Sequence, residues 1–369
     1  MHPGFEKTAA RLEARFGEGA DALWSDADFA AHALEVFRLQ YESCRVYRAF
    51  CDTRGVTPST VASWTDVPAV PGTAFKYLDF APDDAGPPEA TFRTSGTTRG
   101  DETRGRHEVP RLSLYRASLL PPLRRALMPD GPKLRFLSLI PAPSEVPDSS
   151  LSWMVGAAAD ELADGVDWLV DAAGAWSHET TEVCRRVAEA GEPVVLFGTA
   201  LAFQHAIERA SRGEASLDRL PDGSRAMETG GFKGATRRVS RDELYEGITE
   251  LTGIPPQRIV NEYGMTELLS QLWEPVLTEG LAARGVHVPA PWLRVRALDP
   301  VTLGPVPEGA DGILCFFDLA NLGSVSHVLT EDLGSVVEGR VRLRGRVPGA
   351  EPRGCSRAMD ELMSAAGRG

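Results

Sequence analysis

The run Pro193–Gly198 (PVVLFG) constrains this chain more than any other stretch of it. A strand with no polar alternation has to be covered on both faces, which is the pattern of a parallel sheet flanked by helices. Thr199 follows directly and can cap a helix running away from that strand. A second apolar run, Leu134–Ile140, reads the same way, and residues 112–127 between them and the N-terminal part have helical spacing. Helices also open the chain, with Phe29, Phe37, Tyr41, Cys44, Tyr47 and Cys51 recurring at helical intervals over 27–51. A loop-rich stretch from Thr57 to Pro88 follows, punctuated by Pro58, Pro68, Pro71, Pro82, Pro87 and Pro88. Ile259–Val260 leads into a turn at Tyr263–Gly264, and a helix is expected from near Thr266. From Trp292 onward strands dominate (WLRVRAL, GILCFFDL, SHVLT, VRLRGRV). The order predicts an α/β core with a β-rich annex.

Composition narrows the function. With 43% apolar residues the chain can bury a sizeable core, so general disorder is excluded. The net charge of −13 argues against a nucleic-acid partner, which would require a basic face. No run approaches the ~20 apolar residues of a membrane span. The N-terminus lacks the apolar core of a secretory signal, so a cytoplasmic protein is expected. The five cysteines are odd in number and scattered, which indicates neither a disulfide framework nor a zinc ribbon. Cys44 and Cys51, read as two turns apart on one helix, are separated by ~10 Å, too far for a bridge. The histidines form no HExxH pair, and a bound transition metal is not expected.

Two segments carry chemistry. Thr94-Ser95-Gly96-Thr97-Thr98-Arg99-Gly100 has the hydroxyls and glycines of a loop that wraps phosphate with side-chain O–H and backbone N–H groups, although it is not a Walker A loop. By itself it reads as a polar surface loop before it reads as a phosphate site. Asn261-Glu262-Tyr263-Gly264-Met265-Thr266-Glu267 places a ring at a turn, then a hydroxyl and a carboxylate suited to phosphate and Mg²⁺. By itself it reads equally as a helix start with Glu267 in a favourable first turn.

Taken in order, TSGTT and YGMTE resemble the acyl-adenylate-forming superfamily, which includes acyl-CoA synthetases and firefly luciferase. Gly230-Gly231-Phe232 lies where that superfamily places its adenine-binding turn. Thr330-Glu331-Asp332 resembles the motif whose Asp holds the ribose hydroxyls, and Gly345-Arg346 resembles the hinge before the C-terminal subdomain. Other members continue for ~100 residues past that hinge, a small domain's length, and carry a catalytic lysine there. Here the sequence given ends 23 residues past Arg346 and holds no lysine after Lys233. It does hold Arg353-Gly354-Cys355-Ser356, and in this it is similar to the LuxE-type acyl-protein synthetases, where a cysteine near the C-terminus takes the acyl group and passes it to a reductase. Phe75-Lys76, the segment Ser149–Met154, Lys233-Gly234 and Asp332-Leu333-Gly334 resemble the same family.

The resemblance implies an adenylate-forming N-terminal core of α/β subdomains plus a β-rich annex over residues 1–345, and a truncated C-terminal subdomain over 346–369 carrying Cys355. It implies ATP and Mg²⁺ as cofactors, a carboxylic acid of fatty-acid type as substrate, and a downstream acceptor protein, reductase or carrier. Cys355 would be the nucleophile, its thiolate favoured by the flanking Arg353 and Arg357. Glu267 would hold Mg²⁺, Thr266 and the loop Thr94, Ser95, Gly96, Thr97 and Thr98 the phosphates, and Tyr263 and Gly264 with Gly230, Gly231 and Phe232 the adenine. Asp332 would take the ribose, Arg346 would mark the hinge, and Lys233 is either a solvated turn residue or the replacement for the missing lysine. The helix Ala200–Ile207, with Phe203 and His205, is either a wall of the acyl pocket or a core helix. The phosphate loop departs from the superfamily pattern by an Arg before its last Gly, so Arg99, Arg104 or Arg106 would neutralise pyrophosphate. Two other outcomes stay open: a ligase of phenylacetate–CoA type that delivers to coenzyme A or a carrier, and an acyl-binding scaffold of low activity.

Overall fold

In the computed structural model, residues 3–94, 104–177, 179–214, 217, 219–230, 239–346 and 352–367 are described. They fall into two compact units. The first comprises Met1–Pro122, Met265–Leu272 and Gly285–Gly369, the second Leu123–Gly264 and Trp273–Arg284.

The apolar runs that anchor the reading form the centre of the second unit. Five parallel strands lie in the order Ala163–Trp168, Leu134–Ser138, Val194–Thr199, Arg225–Thr229, Ile259–Tyr263. Val194, Val195, Leu196 and Phe197 are all fully buried, as strands covered on both faces require. Thr199 caps the helix Ala200–Ser211, its hydroxyl accepting from Ala202 N at 3.0 Å. Phe203 on that helix packs into the core formed by Leu196, Ala226, Ile248 and Ile259, while His205 is exposed. Ser240 begins the helix Arg241–Thr252 with a reciprocal capping box, which Gly253 closes in the left-handed region.

The first unit holds the N-terminal helices Pro3–Phe16, Asp26–Ser43 and Arg45–Thr53 and the expected β-rich part. There Leu293–Leu298, Gly312–Asp318, His327–Val337 and Arg340–Arg346 run antiparallel in sequence order, and Val70–Pro71 adds parallel to His327–Val337. Residues 27–51 are two helices rather than one. Cys44 sits at the break in extended conformation, and both Cys44 and Cys51 are buried free thiols.

The expected helix from Thr266 does not form. Residues 266–270 are turn and bend, leading to the short strand Leu272–Trp273. The N–H groups of Leu269 and Ser270, which a helix would direct to carbonyls four residues back, donate instead to Asp318 Oδ2 at 3.0 and 2.8 Å. Among the described residues no helix is long and apolar enough to cross a membrane.

Candidate functional site

In the second unit the adenine candidates sit where a parallel sheet presents ligands, beyond the carboxyl ends of its strands. Gly230 follows the strand Arg225–Thr229 with φ +81°, a conformation that favours glycine, and Tyr263 ends the neighbouring strand, the pair Thr229 and Glu262 being in register. Gly231, Phe232 and Lys233 lie outside the described residues.

Behind these strand ends is a buried polar network with no counterpart in the sequence reading. Glu228 accepts from Asn261 Nδ2 at 2.6 Å and from the Tyr245 hydroxyl at 3.1 Å. Burial pushes its carboxyl up to about 7, against the pull of the nearby Arg241. Glu262 is buried beside it, accepts from the Thr229 hydroxyl, and is pushed up by burial to about 7 as well. Glu274, fully buried, bridges Arg241 at 3.0 Å and Arg284 at 2.6 Å. The Arg284 guanidinium lies 4.8 Å from the centre of the Tyr245 ring. A buried carboxylate answered by two guanidinium groups is stable where an unpaired one would not be.

In the first unit the ends of the phosphate-loop candidate are pinned to each other. Thr94 N donates to Gly105 O at 2.9 Å, Gly105 N returns a bond to Thr94 Oγ1 at 2.9 Å, and Arg104 Nε donates to Thr94 O at 2.7 Å. Arg104 therefore braces the loop base. Ser95, Gly96, Thr97, Thr98 and Arg99 lie outside the described residues. The strands Ala90–Arg93 and Arg106–Val109 carry this loop as an antiparallel pair.

Thr266 and Glu267 are half-buried. Their carbonyls are each held by a buried side chain: His107 Nδ1 donates to Thr266 O at 2.7 Å and Asn321 Nδ2 to Glu267 O at 2.7 Å. A hydroxyl and a carboxylate are hard oxygen donors, the kind that share magnesium with nucleotide phosphates. Asp332 is half-buried on the strand His327–Val337, paired in register with Arg346, whose Nε lies 3.4 Å from its Oδ1. The ribose and hinge candidates are thus cross-strand neighbours.

Cys355 is placed differently from the expectation. It lies in the helix Arg353–Ala366 and is 1% exposed, packed with Leu298, Ile313, Cys315 and Leu329. Its Sγ points at Thr330 O, 3.7 Å away, two residues before Asp332. Arg353 and Arg357 are exposed. Positions two apart on a helix face away from each other, so the flanking arginines do not bracket the thiol as an extended tail would have let them. Burial pushes the neighbouring Cys315 thiol up to about 12. The helix is also tied by Arg54, whose Nη2 and Nε donate to Glu361 Oε2 at 2.6 and 3.0 Å.

The sequence reading missed His107, Asp318 and Asn321. Only Asp318 left a signal, as a charged residue inside the otherwise apolar run GILCFFDL.

The fold is similar to a crystal structure of 2-hydroxyisobutyryl-CoA ligase in the postadenylation state with 2-HIB-AMP, with TM-score 0.65 at 15% identity over 87% of this chain and 68% of that one. An open conformation of the same ligase, with 2-HIB-AMP and CoA, gives 0.63 at 15% identity over 88% and 75%. At this identity the likeness is one of fold. Residues 157–364, more than half of the chain, match the family described as acyl-protein synthetase, LuxE, and the chain belongs to that family. A long-chain-fatty-acid–luciferin-component ligase of Aliivibrio fischeri is 44% identical over 52 residues, 14% of either chain. The protein of the same name from Vibrio harveyi is 28% identical over 135 residues, 34% of either chain. The matches span about a third or less of the length of these curated relatives.

Proposed function

We propose that this protein is a cytoplasmic acyl-protein synthetase that activates a carboxylic acid of fatty-acid type with ATP and moves the acyl group onto Cys355. The observation that carries the reading is the position of Cys355, whose Sγ rests against Thr330 O on the strand that bears Asp332.

In the first half-reaction the acid's carboxylate attacks the α-phosphorus of ATP, the bond to the bridging oxygen breaks, and pyrophosphate leaves. Thr94 to Thr98 and Thr266 donate hydrogen bonds to phosphate oxygens, Tyr263 and Gly230 with its two successors hold the adenine, and Asp332 takes the ribose hydroxyls. Glu267 holds magnesium, which when bound neutralises part of the phosphate charge. Lys233 or an arginine of the phosphate loop supplies the remaining fixed cation.

In the second half the Cys355 thiolate attacks the acyl carbonyl, forming the thioester and expelling AMP, while the thiol proton goes to solvent. Residues 1–345 act as the activating core and 346–369 present the thiol. The helix Arg353–Ala366 has to leave its apolar cluster for that step. A reductase or carrier protein then receives the acyl group.

The burial of Cys355 favours one further reading, in which the adenylate is delivered to an external thiol such as coenzyme A. Both readings require acid-dependent ATP–pyrophosphate exchange. A panel of acids from acetate to palmitate and aromatic acids should give exchange with at least one, and Glu267→Ala should abolish it. Exchange with none of them in the unaltered protein overturns the proposal in favour of an acyl-binding scaffold.

A further inference from the structure

The seven residues between Gly264 and the strand Leu272–Trp273 lack regular structure, yet the backbone of Thr266–Ser270 among them is held by buried side chains from distant parts of the sequence. Asp318 is fully buried and receives four donors: Leu269 N and Ser270 N on Oδ2 at 3.0 and 2.8 Å, and Ser270 Oγ and Ala320 N on Oδ1 at 2.7 and 2.9 Å. Asn321, also fully buried, accepts from Leu269 N at 3.0 Å while its Nδ2 donates to Glu267 O at 2.7 Å and to Val325 O at 3.1 Å. His107 comes from the strand that leaves the phosphate-loop candidate, and donates to Thr266 O. Ser118 Oγ donates to Leu269 O at 2.6 Å. A carbonyl has no proton to offer, so His107 must carry its hydrogen on Nδ1. Its Nε2 is buried without a partner among the described residues.

This is costly construction for a connector. A turn can satisfy its own amides or leave them to water, whereas a buried carboxylate, amide and imidazole each give up hydration to serve these few peptides. Two of the residues so held are Thr266 and Glu267. Fixing a backbone to a fraction of an ångström is what a phosphate- and cation-binding pair requires, because small misplacement in the reacting geometry is expensive.

We propose that Asp318, Asn321 and His107 are positioning residues for acid activation, locking the Thr266–Ser270 backbone so that the Thr266 hydroxyl and Glu267 carboxylate meet ATP already in place. This rests on the activation reading above. It also links the two chemical segments directly, since His107 ties the strand leaving the phosphate loop to the peptide that follows Thr266.

The test uses the full chain and three variants: Asp318→Asn, His107→Asn and His107→Gln. An Asn at 107 can set its amide nitrogen near the position of Nδ1, whereas Gln places it near that of Nε2. Acid-dependent ATP–pyrophosphate exchange should fall about 10- to 100-fold in Asp318→Asn and His107→Gln, in kcat with little change in the KM for ATP. His107→Asn should recover most of the wild-type rate. Loading of Cys355 from a supplied synthetic acyl adenylate, read by mass, should proceed at the wild-type rate in all three. Should Asp318→Asn fail to fold, Ser270→Ala removes one donor to Asp318 and should lower exchange by a smaller factor.

Wild-type exchange rates in folded Asp318→Asn and His107→Gln overturn the positioning role, as does an equal loss of exchange and loading, which would mark general damage. Absence of exchange in the unaltered protein defeats the activation reading instead, and the proposal with it.

Discussion

Glu262 precedes the adenine candidate Tyr263, is buried, and has a single hydroxyl, Thr229, facing it among its described hydrogen bonds. Its pKa rises from 4.5 to about 7, burial being the largest cause and the nearby Glu228 a smaller one. An acid whose pKa is raised by folding binds its proton more tightly in the folded state. It therefore carries no penalty below about pH 4.5 and costs stability progressively as pH rises toward 7. The full cost at pH 8 is about 3 kcal/mol. Glu262→Gln keeps an oxygen to accept from Thr229 and removes the charge. At pH 8 the variant should be more stable than the wild type by up to about 3 kcal/mol, which corresponds to roughly 6–12 °C in the melting temperature of a unit this size. At pH 5 the two should nearly coincide. Melting followed by tryptophan fluorescence at both pH values reads the difference. A gap that is the same at pH 5 and pH 8, or a variant less stable at pH 8, would refute the reasoning.

Three other perturbations follow from named contacts. Glu274→Gln leaves Arg241 and Arg284 without their shared carboxylate, and urea denaturation should show a loss of about 3 kcal/mol. In Gly354→Ala the new Cβ would stand 2.6 Å from Leu303 Cδ2 and 3.0 Å from Pro300 O. That overpacking should loosen the helix Arg353–Ala366 by about 1–3 kcal/mol and speed the reaction of Cys355 with an aromatic disulfide reagent, measured by absorbance against Cys355→Ser. Thr199→Ala removes the cap of the helix Ala200–Ser211 and should cost about 1 kcal/mol with no effect on exchange.

The fold was legible where local and long-range signals agree. PVVLFG could be little else than a doubly covered strand, and Thr199 capped the next helix as its hydroxyl predicted. Three of the four late strands lie within a residue of their apolar runs, whereas His327–Val337 extends seven residues past SHVLT, through residues whose pairing with Arg340–Arg346 rather than apolar character holds them in the sheet. Sequence failed where tertiary partners override local preference. Thr266-Glu267-Leu268-Leu269 looks like a helix start, but Asp318, from a strand nearly fifty residues later, takes the amides that a helix would have used. The surroundings of Cys355 were missed for a similar reason: the arginines at either side suggested a thiol in an open tail, and helical geometry turned them to solvent while the thiol met Leu298 and Leu329. Glu228, Glu262 and Glu274 are ordinary acidic residues in sequence, and only the packing of Tyr245, Arg241 and Arg284 against them makes a network.

The central claim is that activated acid ends on Cys355. Intact-protein mass spectrometry after incubation with Mg-ATP and a panel of carboxylic acids tests it directly, with Cys355→Ser alongside. The account predicts an acyl mass increment on the wild type that is absent from the variant, and the increment names the acid. No increment on either protein, with pyrophosphate exchange intact in both, would contradict it and assign the acyl group to an external thiol.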